Sequence, residues 1–403
     1  MEQEAQSSNE RKMIPGWLVQ DLKSFDELEV AAQPYPFRHP DDLTDFVCLH
    51  QNDYLRLSQR EEVRQIKADS VHREGNSFLA STVFQGGSAM DEHYAFRIQL
   101  SNAMQAEDVL LLSSGWTANV GLIEAIAKPG TPIYLDQKVH ASCWDGARLS
   151  AGRPVMLRHN DPDFLAARIR RDGPGIVCID SFYSATGAIC DLPAYVEICE
   201  KTGSVLVLDE AHSLGMVGHG AGGLAVQLGL AERVHFRTAS FSKALGGHGG
   251  CIATTRHLAW FLTHRAHSIV FSSSALPCDS AAHRQALAIA RAEPWLGQHC
   301  LEMGALMRQE MHAHGVDTGA SACQIVSVTL PSVILACKAY GMLRDRGVLA
   351  ATFLPPATPE GTGLLRFSMH ANLQSEDVIH AATAVGEVMD LLGLSERVCA
   401  AAA

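Results

Sequence analysis

The stretch between Ser204 and Gly250 narrows the fold more than any other part of the chain. The run Ser204-Val-Leu-Val-Leu208 is apolar without alternation and stops at Asp209-Glu-Ala-His212. A short run of this kind reads as a strand buried on both faces, as in a parallel sheet. Such strands present functional groups at their carboxyl ends, so Asp209 and His212 are expected at a sheet rim. A second strand-like run, Val234-His-Phe-Arg-Thr238, leads into Ala239-Ser-Phe-Ser-Lys243-Ala-Leu-Gly-Gly247. A lysine set among hydroxyls and glycines can lose solvation, lower its pKa and bond covalently to an aldehyde.

A carboxylate at one strand end and a reactive lysine after the next suggest pyridoxal phosphate. Its ring nitrogen wants a carboxylate partner and its aldehyde wants an amine. Each residue taken singly also has an ordinary reading: Asp209 as a helix N-cap, Lys243 as a surface lysine. Asp-Glu-Ala-His after an apolar strand also resembles a helicase element. That chemistry needs a G-x-x-x-x-G-K-[ST] phosphate loop, and neither Lys23-Ser24 nor Lys201-Thr202 follows glycines at that spacing.

The chain's 403 residues can bury one large core and a smaller one. A formal charge of −12 argues against a nucleic-acid footprint, and no apolar run is long enough to span a bilayer. The acidic, polar start Met1-Glu-Gln-Glu-Ala does not read as a signal peptide. Eleven cysteines occur without a C-x-x-C pair, as expected of buried free thiols in a reducing cytoplasm; a metal site is not expected.

Residues 1–12 read as disordered and Trp17 to Leu28 as a helical arm suited to a second subunit. Asn52, in His50-Gln-Asn-Asp-Tyr-Leu55, either touches substrate or makes an Asx turn. Phe78 to Gly87 reads as a loop. From Val109 the pattern becomes strand–turn–helix units, predicting an α/β fold with a doubly wound, mostly parallel sheet. Ser113-Ser-Gly115-Trp116 turns into a helix whose N-terminus offers free N–H groups to a phosphate; a plain βα turn reads the same. His140 follows the strand Pro132 to Leu135 and could simply start a helix. Ile269 to Pro277 reads as a hydroxyl-rich turn. Glu293-Pro294 marks a boundary, giving an N-terminal segment (1–65), a large α/β domain (66–293) and a smaller C-terminal α+β domain (294–403).

The motifs Asn52-Asp-Tyr-Leu55, Ser114-Gly-Trp-Thr-Ala-Asn119, His140-Ala-Ser-x-x-Asp145-Gly-x-Arg148, Ser184-x-x-Gly187, Asp209-Glu-Ala-His-Ser-Leu-Gly215, Ser240-x-x-Lys243-Ala-Leu-Gly-Gly247 and Arg366 occur in this order. Together they resemble the α-oxoamine synthases, fold type I pyridoxal-phosphate enzymes that condense an amino acid with an acyl-CoA. Ser114 to Leu122, Asp172 to Ile176, Val234 to Ser240 and Phe271 to Ser274 are most similar to the bacterial α-hydroxyketone autoinducer synthases of quorum sensing. Members making 8-amino-7-oxononanoate or 2-amino-3-ketobutyrate carry an arginine in the loop that here reads Ala80 to Ser88 without one.

The resemblance implies a role for each motif residue. Lys243 would hold the cofactor and move the substrate's α-proton; Asp209 would pair with the ring nitrogen and His140 would stack on the ring. His212 and Ser184 would bond the phenolic oxygen. The N–H groups of Gly115 and Trp116, with Ser240, would hold the phosphate. Arg366 would pair with the amino acid's carboxylate and Asn52 would touch the substrate, although Arg366 alone reads as a strand arginine. Ser273 or Ser274 would reach the phosphate of a second subunit in a homodimer. Val83-Phe84 and Ile269 to Phe271 either wall a medium or long acyl tail or belong to the core. A non-catalytic partner subunit is the contrasting reading; such chains normally lack the lysine, and Lys243 is present.

Overall fold

The computed structural model describes residues 19–20, 43–75, 81–84 and 91–395. The expectations for residues 1–12, for most of the 17–28 arm, for residues 78–80 and 85–88, for the Phe84 side chain, and for the extreme C-terminal tail lie outside the described residues. Two sheets form the frame. The larger has seven strands: β2 (Asp108–Leu112), β3 (Pro132–Asp136), β4 (Arg153–Leu157), β5 (Ile176–Asp180), β6 (Val205–Asp209), β7 (Phe236–Ser240) and β8 (Gly250–Thr254). Their spatial order is β2-β8-β7-β6-β5-β3-β4. From β4 to β7 the neighbours run parallel, and β8 lies antiparallel to both β7 and β2.

The uniformly apolar run before Asp209 has a direct explanation. Leu206 and Leu208 pack in one core cluster while Val207, with Val205 beside it, belongs to the other. Successive side chains alternate across a strand, so a strand covered by helices on both faces needs apolar residues at every position. At the edge the rule relaxes: Met156 of β4 is 60% exposed. Helices Gly115–Ile126 and Ala141–Leu149 cover one face; Glu92–Met104, Leu192–Thr202 and Pro277–Ala292 cover the other.

The smaller sheet has the order β1-β10-β11-β9, from β1 (Val47–Leu49), β9 (Ile325–Leu330), β10 (Val348–Phe353) and β11 (Gly363–Ser368). Helices Trp295–Ala313, Val333–Arg344 and Ser375–Leu391 share its core. β1 precedes the larger sheet in the chain yet pairs parallel with β10, carrying Asn52 to the junction of the two sheets. The junction is hydrogen-bonded: Ser321 Oγ donates to Thr186 O at 2.7 Å, Ala322 N to Gly187 O at 2.8 Å, and Gln324 Nε2 to His212 O at 2.9 Å. Gly187 has φ +67 and a Cβ there would meet Ile325 O at 2.0 Å, so only glycine lets the sheets approach.

Local differences from the expectation are small. The strand before Lys243 runs two residues further, to Ser240. Ile269 and Val270 end a short helix, His267–Val270, and the turn begins only at Phe271. In the expected loop, Ser81 bridges to Ser273 and Thr82–Phe84 form one 3₁₀ turn.

Candidate active site

Strand register brings three side chains level at the rim: Asp180 lies beside Asp209, and Asp209 beside Thr238. Asp209 uses both carboxylate oxygens. Oδ1 accepts from the Ala211 N–H at 2.8 Å and Oδ2 from Asn119 Nδ2 at 2.6 Å. Asn119 Oδ1 accepts from Thr238 Oγ1 at 2.6 Å, while its Nδ2 also reaches Ser142 Oγ at 2.9 Å. Ser142 Oγ lies 2.7 Å from His140 Nδ1. The His140 ring meets the Trp116 ring edge to face at 5.8 Å.

Lys243 lies three residues beyond β7 in a turn closed by the Gly246 N–H donating to Lys243 O at 2.9 Å. Among the described residues its ammonium has no hydrogen-bond or ion-pair partner. Burial first, and then the Arg366 guanidinium, push its pKa down to about 8, against the opposing pull of Asp209. Burial also lowers His140, with Asp209 opposing and Lys243 adding to the effect. It lowers His212 well below the usual histidine value, helped by Lys243, Arg366 and His140. The amine, the carboxylate, the two imidazoles and the guanidinium therefore share one cleft.

The phosphate-binding expectation rests on a well-formed helix start. Ser114 caps helix Gly115–Ile126, its Oγ accepting from the Thr117 N–H at 3.1 Å. Gly115 and Trp116 follow at the first two helical positions, whose N–H groups have no intrahelical acceptor. A Cβ on Gly115 would meet Ser240 Cβ at 2.8 Å, which puts the Ser240 side chain against this turn. Ser240 Oγ and Ser242 Oγ are 2.8 Å apart.

Across the junction, Arg366 is buried on β11, facing away from the core that takes Leu365 and Phe367. Its Nη1 donates to Ser184 O at 3.1 Å and its Nη2 to Asn52 Oδ1 at 2.8 Å, while Nε has no partner among the described residues. The guanidinium carbon stands 4.7 Å from the Phe353 ring centre. The Tyr54 hydroxyl is 2.7 Å from His212 Nδ1 and 3.3 Å from Asn52 Oδ1. Lys243, Asp209, His140, His212, Ser184, Asn52 and Arg366 are thus brought together around the junction. Ser273 and Ser274 lie on the segment after His267–Val270, where the Ser273 carbonyl accepts from Thr82 Oγ1 and Ser274 Oγ donates to Ala275 O.

Sequence reasoning missed Asn119, Ser142, Thr238, Tyr54 and Gln324 as site residues, although all but Gln324 stand inside the motifs and stretches named above. Their signal was positional: Thr238 is level with Asp209 once β6 and β7 are paired. Of the segments read as tail wall or core, Ile269 is buried in a core cluster and half-buried Val83 packs against it, while Phe271 is 80% exposed.

A profile of the class I and II aminotransferases matches residues 44–385. The chain belongs to this family. Within it the chain is an α-oxoamine synthase, of the branch of fold type I pyridoxal-phosphate enzymes. It is 32% identical to the CAI-1 autoinducer synthase of Vibrio campbellii over 341 residues, 85% of this chain and 86% of that one. It is 33% identical to the 8-amino-7-oxononanoate synthase of Mycolicibacterium vanbaalenii over 344 residues, 85% and 89% of the two chains. The solved serine palmitoyltransferase of Sphingomonas wittichii shares the fold, with TM-score 0.84 and 24% identity over 94% of this chain and 98% of that one. The cleft fits the family's cofactor: a half-buried amine with no partner among the described residues, a carboxylate held at two oxygens, and a glycine turn opposed to Ser240 are the groups its aldehyde, ring nitrogen and phosphate require.

Proposed function

We propose that this α-oxoamine synthase joins a small α-amino acid to a medium- or long-chain acyl-CoA. The new bond runs from the amino acid's α-carbon to the thioester carbonyl carbon. The carbon–sulfur bond breaks, CoA leaves as a thiol after taking a proton, and the amino acid's carboxylate departs as carbon dioxide while a proton takes its place on the α-carbon. The product is an α-aminoketone, the precursor of an α-hydroxyketone quorum-sensing signal. Pyridoxal phosphate, when bound, supplies the electron sink that makes the α-carbon nucleophilic.

The chain's own residues carry the rest. Lys243 Nζ takes the α-proton, a task suited to an amine whose pKa is about 8. Asp209 keeps the ring nitrogen protonated. His140 packs on the ring face, and His212 with Ser184 donates to the phenolic oxygen. Gly115 and Trp116 N–H groups and Ser240 hold the phosphate. Arg366, steadied by Asn52, pairs with the amino acid's carboxylate. Ser273 or Ser274 reaches a second subunit's phosphate in a homodimer with shared sites. Residues 294–403 form a domain that closes over the rim. Ten free cysteines among the described residues suit a cytoplasmic enzyme.

The observation that carries this reading is Lys243: a half-buried amine with no partner among the described residues, its pKa depressed by its surroundings and by Arg366 against the pull of Asp209. Similarity to the Vibrio synthase and an exposed Phe271 support a hydrophobic acyl substrate. Borohydride reduction of the loaded enzyme and peptide mapping should find the pyridoxyl group on Lys243, and a label elsewhere sinks the assignment. An acyl-CoA panel read by mass spectrometry tests the substrate. Each buried methylene contributes about 0.8 kcal/mol, so kcat/KM should rise with chain length; preference for acetyl-CoA or a pimeloyl thioester would instead favour 2-amino-3-ketobutyrate ligase or 8-amino-7-oxononanoate synthase activity.

A further inference from the structure

Asn119 stands at the centre of a hydrogen-bond circuit that the roles above leave unused. It is 1% exposed, and its amide joins Asp209, Ser142 and Thr238 at 2.6, 2.9 and 2.6 Å. The amide's orientation follows from its partners. A carboxylate only accepts, so the amino group faces Asp209 and the carbonyl oxygen faces the Thr238 hydroxyl. Ser142 Oγ, having accepted from Asn119, has one proton to donate, and His140 Nδ1 lies 2.7 Å away. The Ser142 backbone N–H points at the same nitrogen from 3.3 Å, and a backbone N–H can only donate. With two donors converging on it, His140 Nδ1 must be the unprotonated nitrogen of the ring.

We propose that Asn119 and Ser142 are positioning residues: through one shared amide they fix the carboxylate of Asp209 and hold His140 as its neutral Nε2–H tautomer. The inference rests on the cofactor roles given above to Asp209 and His140. The groups that bear on His140 are Asp180, whose Oδ1 accepts from its backbone N–H at 3.3 Å, Asp209, Lys243 and the Trp116 ring. Burial disfavours the charged imidazole, in accord with the neutral tautomer. The ring is thereby held at one edge by helix Ala141–Leu149 and keeps a single N–H donor on the other. A shared amide also means that the orientations of the ring-nitrogen partner and of the stacking ring are set together.

Nitrogen-15 histidine labelling of the enzyme loaded with pyridoxal phosphate, with His140→Gln to assign the signals, reads the tautomer directly. The expected result is an unprotonated Nδ1 and a protonated Nε2. Ser142→Ala should draw the two resonances toward each other, and Ser142→Thr, which keeps the hydroxyl, should restore them. Asn119→Ala should shift them in the same direction when Ser142 is present, and add nothing in the Ser142→Ala background. A protonated Nδ1 in the parent enzyme overturns the proposal. So does an Asn119→Ala enzyme with parental circular dichroism and Tm whose His140 signals are unmoved. Should Asn119→Ala not fold, the Ser142→Ala and Ser142→Thr pair decides. Borohydride labelling of the same samples separates the two ideas: label on Lys243 with the wrong tautomer overturns this inference alone, and an unlabelled Lys243 overturns the functional reading.

Discussion

On the larger-sheet side of the cleft, polar groups are tied to one another: Asp209 has both oxygens engaged, and Asn119 holds Asp209, Ser142 and Thr238 with one amide. On the smaller-sheet side, β11 presents Arg366 Nε and Ser368 Oγ, both buried and both without a partner among the described residues. The two lie two residues apart on one strand and so share a face, the face turned from the core of Leu365 and Phe367. The first wall is fixed before any ligand arrives, as groups that must not reorganise during a reaction need to be. The second keeps spare donors in a buried place, where an unmet hydrogen bond is costly, and that suits a carboxylate that comes and goes. Under the proposed roles, changes to the first wall should fall on kcat and changes to the second on KM.

The largest expected effect tests the first wall. Lys243→Ala removes the group assigned to proton transfer and should cut kcat roughly a thousandfold, while cofactor still associates through its phosphate; near-parental turnover would end the assignment. Asp209→Ala comes next. It removes a charge-assisted bond worth about 1.5–3 kcal/mol, roughly ten- to a hundredfold in kcat, with little change in KM. A purely KM effect would mean that this carboxylate acts on substrate binding instead.

Arg366→Lys probes the other wall. The planar fork that meets both Asn52 and Ser184 is lost, so KM for the amino acid should rise about tenfold and KM for acyl-CoA should not. The reverse pattern would move the carboxylate site elsewhere. The smallest effect is a pH dependence of stability. Because Lys243 is held down to about 8, the folded cofactor-free enzyme loses this proton before the unfolded chain does. Burial of the charge therefore costs stability in full below about pH 8, and stability recovers as pH rises from there toward the ordinary lysine value. The Tm difference between the cofactor-free enzyme and Lys243→Met should shrink over that window, and a difference independent of pH would show that the amine is not depressed.

Much of the first wall was readable because its parts are local. Asp209 ends a run that must be buried on both faces, His140 opens a helix after a strand, and Gly115 follows a strand and a serine cap; each needs only neighbouring residues to be placed. Asn119 and Ser142 were visible inside the same motifs, yet their partners lie 90 and 23 residues away in the chain, and periodicity carries no information about which side chain a buried amide meets. Ile269 shows an ambiguity of another kind. An apolar residue beside polar motifs has the same sequence signature whether it lines a pocket or fills the core, and here it fills the core.

By itself, then, the sequence determined the α/β class, the strand that delivers Asp209, the lysine turn after the following strand and the phosphate-ready helix start, because hydrophobic period and turn chemistry act over a few residues. Only the tertiary structure decided that Asn52 and Arg366, 314 residues apart, share a hydrogen bond. That contact depends on β1 pairing parallel with β10 and on Gly187 letting the two sheets close to hydrogen-bonding distance. Pairing of distant strands is selected by the burial of whole faces rather than by any one residue, and for that reason the contact between these two residues came into view only with the fold.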